Sequence, residues 1–259
     1  MAKVRTRGIE VAIGEQGVGK TFVAVNYAEA YTKKHNEPVV VFDPNREKAY
    51  AHWEEVKLAD VPYLTGQGCY RVSPVDEYGE HTDNLLPILL YLLKWFSNGL
   101  LIAEDINTIS VGLATHALIK VIVNVRHKGL DLLLNFQSPR AVAPRILDNL
   151  KWIRLHKSAS FKKTVENYES KRIAELIIRQ QVKEGNYRCY LYLDHAKNLI
   201  KGASNHQIKM AAREYLTENI SQVKQTIYVK LKIKKDSETA REKALNYYLK
   251  EKNYFQPYF

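Results

Sequence analysis

The chain has 259 residues, with 39 Lys and Arg against 28 Asp and Glu, so its formal net charge is +11. An apolar content of 46% excludes wholesale disorder. Two cysteines are too few for a disulfide framework or a four-ligand zinc site, which is typical of a reducing compartment. The sequence shows no apolar leader and no stretch long enough to span a bilayer, so we expect a cytoplasmic protein that is neither secreted nor inserted in a membrane. The positive charge indicates a polyanionic partner.

Residues 1–158 alternate strand-like and helix-like segments, which predicts an α/β domain with a mostly parallel sheet. Two of the strand-like runs, at 38–43 and 130–136, are apolar almost throughout, as expected for strands that are buried on both faces. Strands are predicted at 9–13, 38–43, 69–72, 100–103, 130–136 and 152–156, and helices at 21–34, 50–58, 83–97 and 113–128, with a short one from about residue 144.

Residues 159–259 have a different character and are predicted to form an α+β accessory region. Amphipathic patterns predict helices at 165–183 and 204–220, with Ser204 or Asn205 as a plausible cap. A strand is predicted at 187–193. In residues 227–233, apolar residues alternate with Tyr228, Lys230 and Lys232, which predicts a second strand with one cationic face. The chain ends in a basic, aromatic tail.

A phosphate-binding loop is the most specific motif of the sequence. Residues 14–21 match the pattern G-x-x-x-x-G-K-[ST] in full and lie between a predicted strand and a predicted helix. Glycines allow backbone N–H groups to surround phosphate oxygens, the lysine neutralises the β- and γ-phosphates, and the final hydroxyl ligates Mg²⁺. The motif therefore predicts binding of ATP with Mg²⁺ by Gly14, Glu15, Gln16, Gly17, Val18, Gly19, Lys20 and Thr21.

Two acidic residues, Glu104 and Asp105, directly follow the predicted strand at 100–103. A phosphate-loop enzyme needs a carboxylate at the tip of a neighbouring strand for Mg²⁺ and usually a second one to activate water. We assign Glu104 to Mg²⁺ and Asp105 to water activation, although the customary order is Asp before Glu and the roles could be exchanged. Asp105 could also cap a helix. Asp43, which ends another strand, could support the site or cap its own turn.

The region from Arg126 to Pro144 carries a further pattern. Arg126 lies three residues before Gly129, an apolar strand follows, and Gln137 and Pro139 come directly after it. Over residues 8–157 the sequence here resembles the FtsK/HerA superfamily of DNA-pumping ATPases. Within that superfamily it is most similar to the small genome-packaging ATPases of viruses and phages, with the zonula-occludens-toxin-like phage assembly proteins as the alternative.

The resemblance implies a RecA-like three-layer α/β/α domain in which the Gln137 strand lies between the phosphate-loop strand and the Glu104 strand. It also implies a ring oligomer with ATP between subunits, Gln137 as the γ-phosphate sensor and Arg126 as the finger that completes a neighbour's site. Arg126 could instead be a cation that stabilises a helix C-terminus, and Arg140 and Arg145 are other finger candidates. A capsid or portal vertex protein would be a further partner, with a location in the host cytoplasm or the virion.

A motor that holds DNA without reading its sequence needs only cations against the phosphates. Residues 221–259 carry nine Lys and Arg against four Asp and Glu, so part of the positive charge lies there. Lysines on an edge strand also discourage aggregation, which is the alternative explanation. The candidate DNA contacts are Arg154, Lys157, Lys162, Lys163, Lys230, Lys232 and Lys234.

The motifs are thus typical of an ATP-hydrolysing DNA translocase. Two other functions are compatible with a phosphate loop. One is a phage assembly or secretion ATPase that acts on a protein cargo at a membrane. The other is a nucleotide-dependent protein-binding module similar to a helicase loader.

Overall fold

The structure is a computed structural model that describes residues 7–75, 82–106, 114–194 and 197–252. The described residues form two compact units, one up to Ile153 and one from Arg154 onwards. The strands are β1 (Ile9–Ile13), β2 (Pro38–Phe42), β3 (Glu54–Glu55), β4 (Gly68–Val72), β5 (Gly99–Ala103), β6 (Leu130–Phe136), β7 (Leu150–His156), β8 (Tyr190–Asp194) and β9 (Leu199–Lys201).

The α-helices are α1 (Lys20–His35), α2 (Leu85–Trp95), α3 (Ala114–Asn124), α4 (Pro144–Leu147), α5 (Tyr168–Lys183), α6 (Asn205–Glu218), α7 (Ile220–Val223) and α8 (Glu238–Lys252). Short 3₁₀ helices occur at Lys48–Tyr50, Leu58–Tyr63, Val125–Lys128 and Pro139–Ala141. Within the described ranges, no helix combines the length and the apolar character needed to cross a bilayer.

The sheet of the first unit has the strand order β3-β4-β2-β5-β6-β1-β7. β6 pairs in parallel with β1 on one side and with β5 on the other. The pairs of β2 with β4 and β5 are also parallel. The predicted α/β class and the predicted position of the Gln137 strand, between the phosphate-loop strand and the Glu104 strand, are therefore confirmed.

The central strands are covered on both faces, because every residue of β2, β5 and β6 is buried. Alternate residues, among them Val39, Val41, Leu100 and Ile102, belong to one apolar cluster with Ala24 and Ala28 of α1. The small alanine side chains let α1 lie close to the sheet. The intervening strand residues are equally buried, so the other face is covered too, and α2 contacts β5. The helices and the sheet are those of the three-layer α/β/α fold that the resemblance implied.

In the second unit, β8 and β9 pair antiparallel and α5 packs against both strands. α6 packs against α5 on one side and α8 on another. The predicted helices at 165–183 and 204–220 and the predicted strand at 187–193 are confirmed as α5, α6 and β8. The aromatic tail from residue 253 lies outside the described residues.

The helix predicted at 50–58 is wrong. A 3₁₀ helix ends at Tyr50, and Glu54 and Glu55 pair in parallel with β4 as the short strand β3. Tyr50 and Trp53 are both buried, with ring centroids 4.8 Å apart. Both rings are therefore held in the core, and the two residues between them form a turn.

The cationic strand predicted at 227–233 is also wrong. Lys224–Tyr228 is a π-helix, and Val229 and Lys230 continue it with helical backbone. The buried residues are Val223 and Tyr228, five positions apart, whereas Val229 is 69% exposed. The Tyr228 hydroxyl donates to Asp236 Oδ1 at 3.0 Å, which ties the segment to the start of α8. The burial of Tyr228 therefore decides the structure here, and the alternation of apolar and polar residues that predicted a strand does not.

The N-terminus of α6 gives a stability prediction. The Ser204 hydroxyl accepts from the Gln207 N–H at 3.2 Å, and Gln207 Oε1 accepts from the Ser204 N–H at 2.9 Å, a complete capping box. We expect Ser204→Ala to lower the free energy of unfolding by about 1 kcal/mol in urea denaturation, because the Gln207 N–H at the helix end loses its hydroxyl acceptor. Ser221→Ala, at an exposed position in α7, is the matched control, and an equal effect of the two would contradict the assignment.

Candidate active site

Three strand ends meet at one edge of the sheet. Ile13 pairs with Phe136, and Ala103 pairs with Leu134, so the residues that follow β1, β5 and β6 emerge side by side. The Gly14 N–H donates to the Phe136 carbonyl at 3.1 Å and extends the ladder into the loop. The phosphate loop, the acidic pair and Gln137 therefore share this edge.

The loop has the backbone of a phosphate cradle. Gly17 and Gly19 have φ angles of 80° and 90°, which side-chain-bearing residues rarely adopt. A Cβ built on Gly17 would meet nothing within 4 Å, so the space in front of the loop is open. Lys20 Nζ donates to the Gly14 carbonyl at 2.7 Å and the Glu15 carbonyl at 2.8 Å, which holds the ammonium over the loop. The backbone and the lysine fit a bound phosphate.

Glu104 is buried, with 5% of its surface exposed. The Tyr50 hydroxyl donates to Glu104 Oε1, and this tyrosine is fully buried itself. Burial raises the pKa of Glu104, and the negative charge of Asp43 adds to the rise, while the Tyr50 hydroxyl, the Asn135 amide and Lys20 oppose it. The carboxyl is thus kept from water but surrounded by groups that stabilise its ionised form.

Asp43 is completely buried at the end of β2. Its Oδ1 accepts from the Glu47 N–H at 3.1 Å, so the side chain closes the turn after the strand. Burial raises the pKa of Asp43, and the bond from Glu47 lowers it in part. The sequence left open whether Asp43 supports the site or caps its own turn. The hydrogen bond from Glu47 supports the role in the turn, and the Asp43 charge also raises the pKa of Glu104.

Asp105 lies at the mouth of the site in a left-handed conformation, with φ of 48°. Gln137 Nε2 donates to Asp105 Oδ1 at 2.9 Å, and Asn45 Nδ2 lies 3.4 Å from Oδ2. Side chains that follow three different strands therefore meet at one carboxylate. Residues 107–113 are outside the described residues, so they do not test the alternative of a helix cap by Asp105.

These groups line one cleft of about 340 Å³. Its lining includes Lys20, Thr21, Glu104, Asp105 and Gln137, so the structure brings together five residues that the sequence singled out. Sequence reasoning missed Asn45, Glu47 and Asn135, which line the same cleft, and Tyr50, which binds Glu104. Asn45 is the third residue after the buried strand β2, and this position was the available signal. Tyr50 carried none.

The acidic and hydroxyl oxygens of the cleft fit magnesium. Thr21 and Glu104 line it together, and carboxylate and hydroxyl oxygens are the ligands that Mg²⁺ prefers. Among the described residues, no group of three or more His, Cys, Asp or Glu could hold a metal alone. Magnesium usually takes only one or two protein ligands and completes its shell with phosphates and water, so the residues present are those such a site needs.

Arg126 lies far from this cleft in its own chain. Its backbone belongs to the 3₁₀ helix Val125–Lys128, which precedes β6, whereas Gln137 follows β6. The seven residues of β6 separate the two by roughly 23 Å at 3.3 Å per residue. Arg140 and Arg145 follow Gln137 and are exposed.

The predicted DNA contacts fall into separate groups. The prediction that Arg154 contacts DNA is wrong, because this residue of β7 is fully buried. Its guanidinium has no hydrogen-bond partner among the described residues. Lys157, Lys162 and Lys163 are exposed.

The tail lysines Lys230, Lys232 and Lys234 are exposed too, but they follow a π-helix and do not share a strand face. Lys230 lies 3.8 Å from the Glu251 carboxylate and over the Tyr247 ring, so it makes contacts within its own unit.

No family model and no curated protein matches the sequence. Solved structures do match the fold. The genome packaging NTPase B204 from Sulfolobus turreted icosahedral virus 2, in complex with AMPPCP, has a TM-score of 0.54 at 18% identity, over 76% of this chain and 97% of that chain. The chain has the fold of a viral genome-packaging NTPase.

Two further structures are similar to the chain. The DNA-packaging ATPase B204 from Sulfolobus Turreted Icosahedral Virus has a TM-score of 0.50 at 20% identity, over 76% of this chain and 97% of that chain. The N-terminal domain of zonular occludens toxin from Neisseria meningitidis has a TM-score of only 0.39 at 15% identity, over 60% of this chain and 78% of that chain. The value for the toxin domain is too low to support an argument. The fold is thus the one that the sequence resemblance implied.

The burial of Glu104 gives a pH-dependent stability prediction. Because its pKa in the folded protein lies above the ordinary 4.5, the folded state binds this proton more tightly than the unfolded chain, and the ionised carboxylate destabilises the fold at higher pH. We expect Glu104→Gln to raise the free energy of unfolding at pH 8, and this gain to shrink as the pH falls towards 4.5. Urea denaturation without nucleotide measures it.

Glu54→Gln is the matched control, since Glu54 is exposed and should show no such gain. A gain for Glu104→Gln that is the same at pH 5 and pH 8 would contradict the prediction, because it would not come from ionisation.

Proposed function

We propose that the chain is an Mg²⁺-dependent ATPase that uses hydrolysis to move DNA, as a ring oligomer that packages a viral genome. The observation that carries the proposal is the meeting of Lys20, the Glu104–Asp105 pair and Gln137 in one cleft. The fold is that of proteins described as a genome packaging NTPase and a DNA-packaging ATPase, which supports packaging as the purpose. A capsid or portal protein would be the docking partner, in the host cytoplasm or the virion.

The residues have distinct tasks in this reaction. The loop N–H groups and Lys20 bind the β- and γ-phosphates, and the Thr21 hydroxyl and Glu104 would hold the magnesium ion. When bound, Mg²⁺ neutralises charge on the phosphates. Asp105 accepts a proton from the water that attacks the γ-phosphorus, and the bond to the β-phosphate oxygen breaks to leave ADP. Gln137 orients Asp105 through its bond to Oδ1 and lies where it can respond to loss of the γ-phosphate.

A ring is supported by the lining of the cleft, which includes no arginine among the described residues. Phosphoryl transfer of this kind commonly uses an arginine that stabilises charge in the transition state. The backbone of Arg126 lies at the opposite end of β6 from this cleft, so we assign Arg126 to the cleft of a neighbouring subunit instead. ATP between subunits would then couple hydrolysis to movement around the ring.

Hydrolysis itself is tested with Lys20→Ala. We expect wild-type protein to hydrolyse ATP, faster when DNA is added, and Lys20→Ala to lose at least 100-fold in rate, on the order of what one charged phosphate contact contributes. A coupled ADP-release assay with Mg²⁺, with and without DNA, measures this. Lys48→Ala is the control at a residue outside the cleft. Undiminished hydrolysis by Lys20→Ala would refute the ATPase assignment.

The finger is tested by mixing inactive variants. Arg126→Ala and Glu104→Gln should each be inactive alone, and the mixture should recover part of the activity, because an intact Arg126 from one subunit completes an intact Glu104 site in another. Lys20→Ala mixed with Glu104→Gln is the control, since both impair the same cleft and no complete site can form. Failure of the first mixture to recover while both variants assemble would exclude Arg126 as a finger acting between subunits.

A further inference from the structure

The second unit carries an aromatic and cationic surface that the proposed ATPase cycle does not use. Tyr190 and Tyr192 belong to β8, Arg188 lies two residues before Tyr190, and Lys201 pairs with Tyr192 across the antiparallel ladder to β9. We call these four residues the tyrosine strip. Tyr190 and Tyr192 are two positions apart, so they project from the same face of the strand.

The two faces of this strand pair differ sharply. Leu191, Leu193 and Ile200 are buried, and α5 packs against both strands. On the opposite face, Tyr190 is 37% exposed, Tyr192 is half-buried and Lys201 is exposed. Arg188 is exposed as well and lies in the turn before β8. The buried face is therefore fixed by packing, which leaves the tyrosine strip on a rigid strand.

The Tyr190 ring is held in place by its neighbours. The His156 ring lies 5.3 Å from it at an angle of 34°, and the Tyr192 ring meets it edge-on with centroids 5.7 Å apart. His156 is 1% exposed, so its position is fixed by burial. An aromatic ring that is already ordered loses little conformational entropy when a ligand stacks on it.

The charge around the tyrosine strip is positive. Residues 185–201 carry Arg188, Lys197 and Lys201 against a single acid, Asp194. Asp194 Oδ1 accepts from the Lys197 N–H at 2.9 Å, so the carboxylate closes the turn that follows β8. The surface therefore combines aromatic rings with cations, the chemistry that favours bases and phosphates together.

We propose that the tyrosine strip binds single-stranded DNA, with Tyr190 and Tyr192 contacting bases and Arg188 and Lys201 contacting phosphates. That DNA is the ligand rests on the proposed function. A duplex backbone needs only cations, because its bases are already stacked, whereas exposed rings gain most from unstacked bases. The tyrosine strip therefore favours single-stranded over double-stranded DNA, a choice that the residues of the active site do not make.

The test measures binding of a fluorescent oligothymidine and of a duplex of equal length, without nucleotide and at several salt concentrations. We expect Tyr190→Leu and Tyr192→Leu each to weaken single-strand binding roughly tenfold, since stacking contributes on the order of one such factor per base. These variants should leave the salt dependence unchanged. Lys201→Gln should reduce the slope of log affinity against log salt by about 0.7, the value for one lost phosphate contact on a single strand.

The controls separate the tyrosine strip from other surfaces. Tyr63→Leu removes an exposed tyrosine of the first unit, 81% exposed, and should bind as the wild type does. Lys232→Gln tests the tail lysines. The proposal is overturned if the strip tyrosine variants bind single strands normally, if duplex is bound more tightly than single strands, or if Lys232→Gln and not Lys201→Gln changes the salt slope. Thermal unfolding of each variant checks that the fold is retained.

Failure of the tyrosine strip and failure of the proposed function give different results. If DNA stimulates ATP hydrolysis but the strip variants bind normally, the motor function stands and the strip does not. If the strip variants lose affinity but DNA has no effect on hydrolysis, the strip stands and coupling to the ATPase fails. A wild-type protein that binds neither DNA overturns the strip, whatever its rate of hydrolysis.

Discussion

The parallel pairing of β6 between β1 and β5 is the constraint on which the candidate site depends. Parallel strands all end at the same edge, so Gly14, Glu104 and Gln137, more than 120 residues apart at the extremes, become neighbours. A shift of one residue in the β6 pairing would turn its alternating side chains to the other face. Burial of every β6 residue, between two layers of helices, makes such a shift costly.

The site also imposes a cost on the fold. Glu104 and Asp43 are two buried carboxylates whose charges act on one another, and the pKa of each is raised mainly by burial. Neutral, apolar side chains there would make a more stable protein. Tyr50 reduces the cost by donating a hydrogen bond to Glu104, and a bound cation would reduce it further. Buried charge at the strand ends, together with the left-handed backbone of Asp105, is thus typical of a site kept for chemistry.

The positive charge of the chain is divided between tasks that differ in structure. Lys20 is committed to the phosphate loop, and Arg154 is fully buried. Arg172, Arg213 and Arg241 form ion pairs with acids of the second unit. Lysines on the surface attract any polyanion, and salt screens that attraction. The tyrosine strip combines ordered rings with cations, which can contact bases as well as phosphates. Net charge alone therefore overstates how much surface serves DNA.

The sequence by itself determined the features that depend on local pattern: the phosphate loop, the buried strands, the ends at which polar residues follow them, and the Ser204 cap. These are set by residues within a few positions of each other. Only the tertiary structure decided that residues 227–230 are helical, that Arg154 is buried, and that Asn45 and Tyr50 join the acidic pair. Burial and hydrogen bonding at those positions depend on residues far away in the chain, which a local period cannot report.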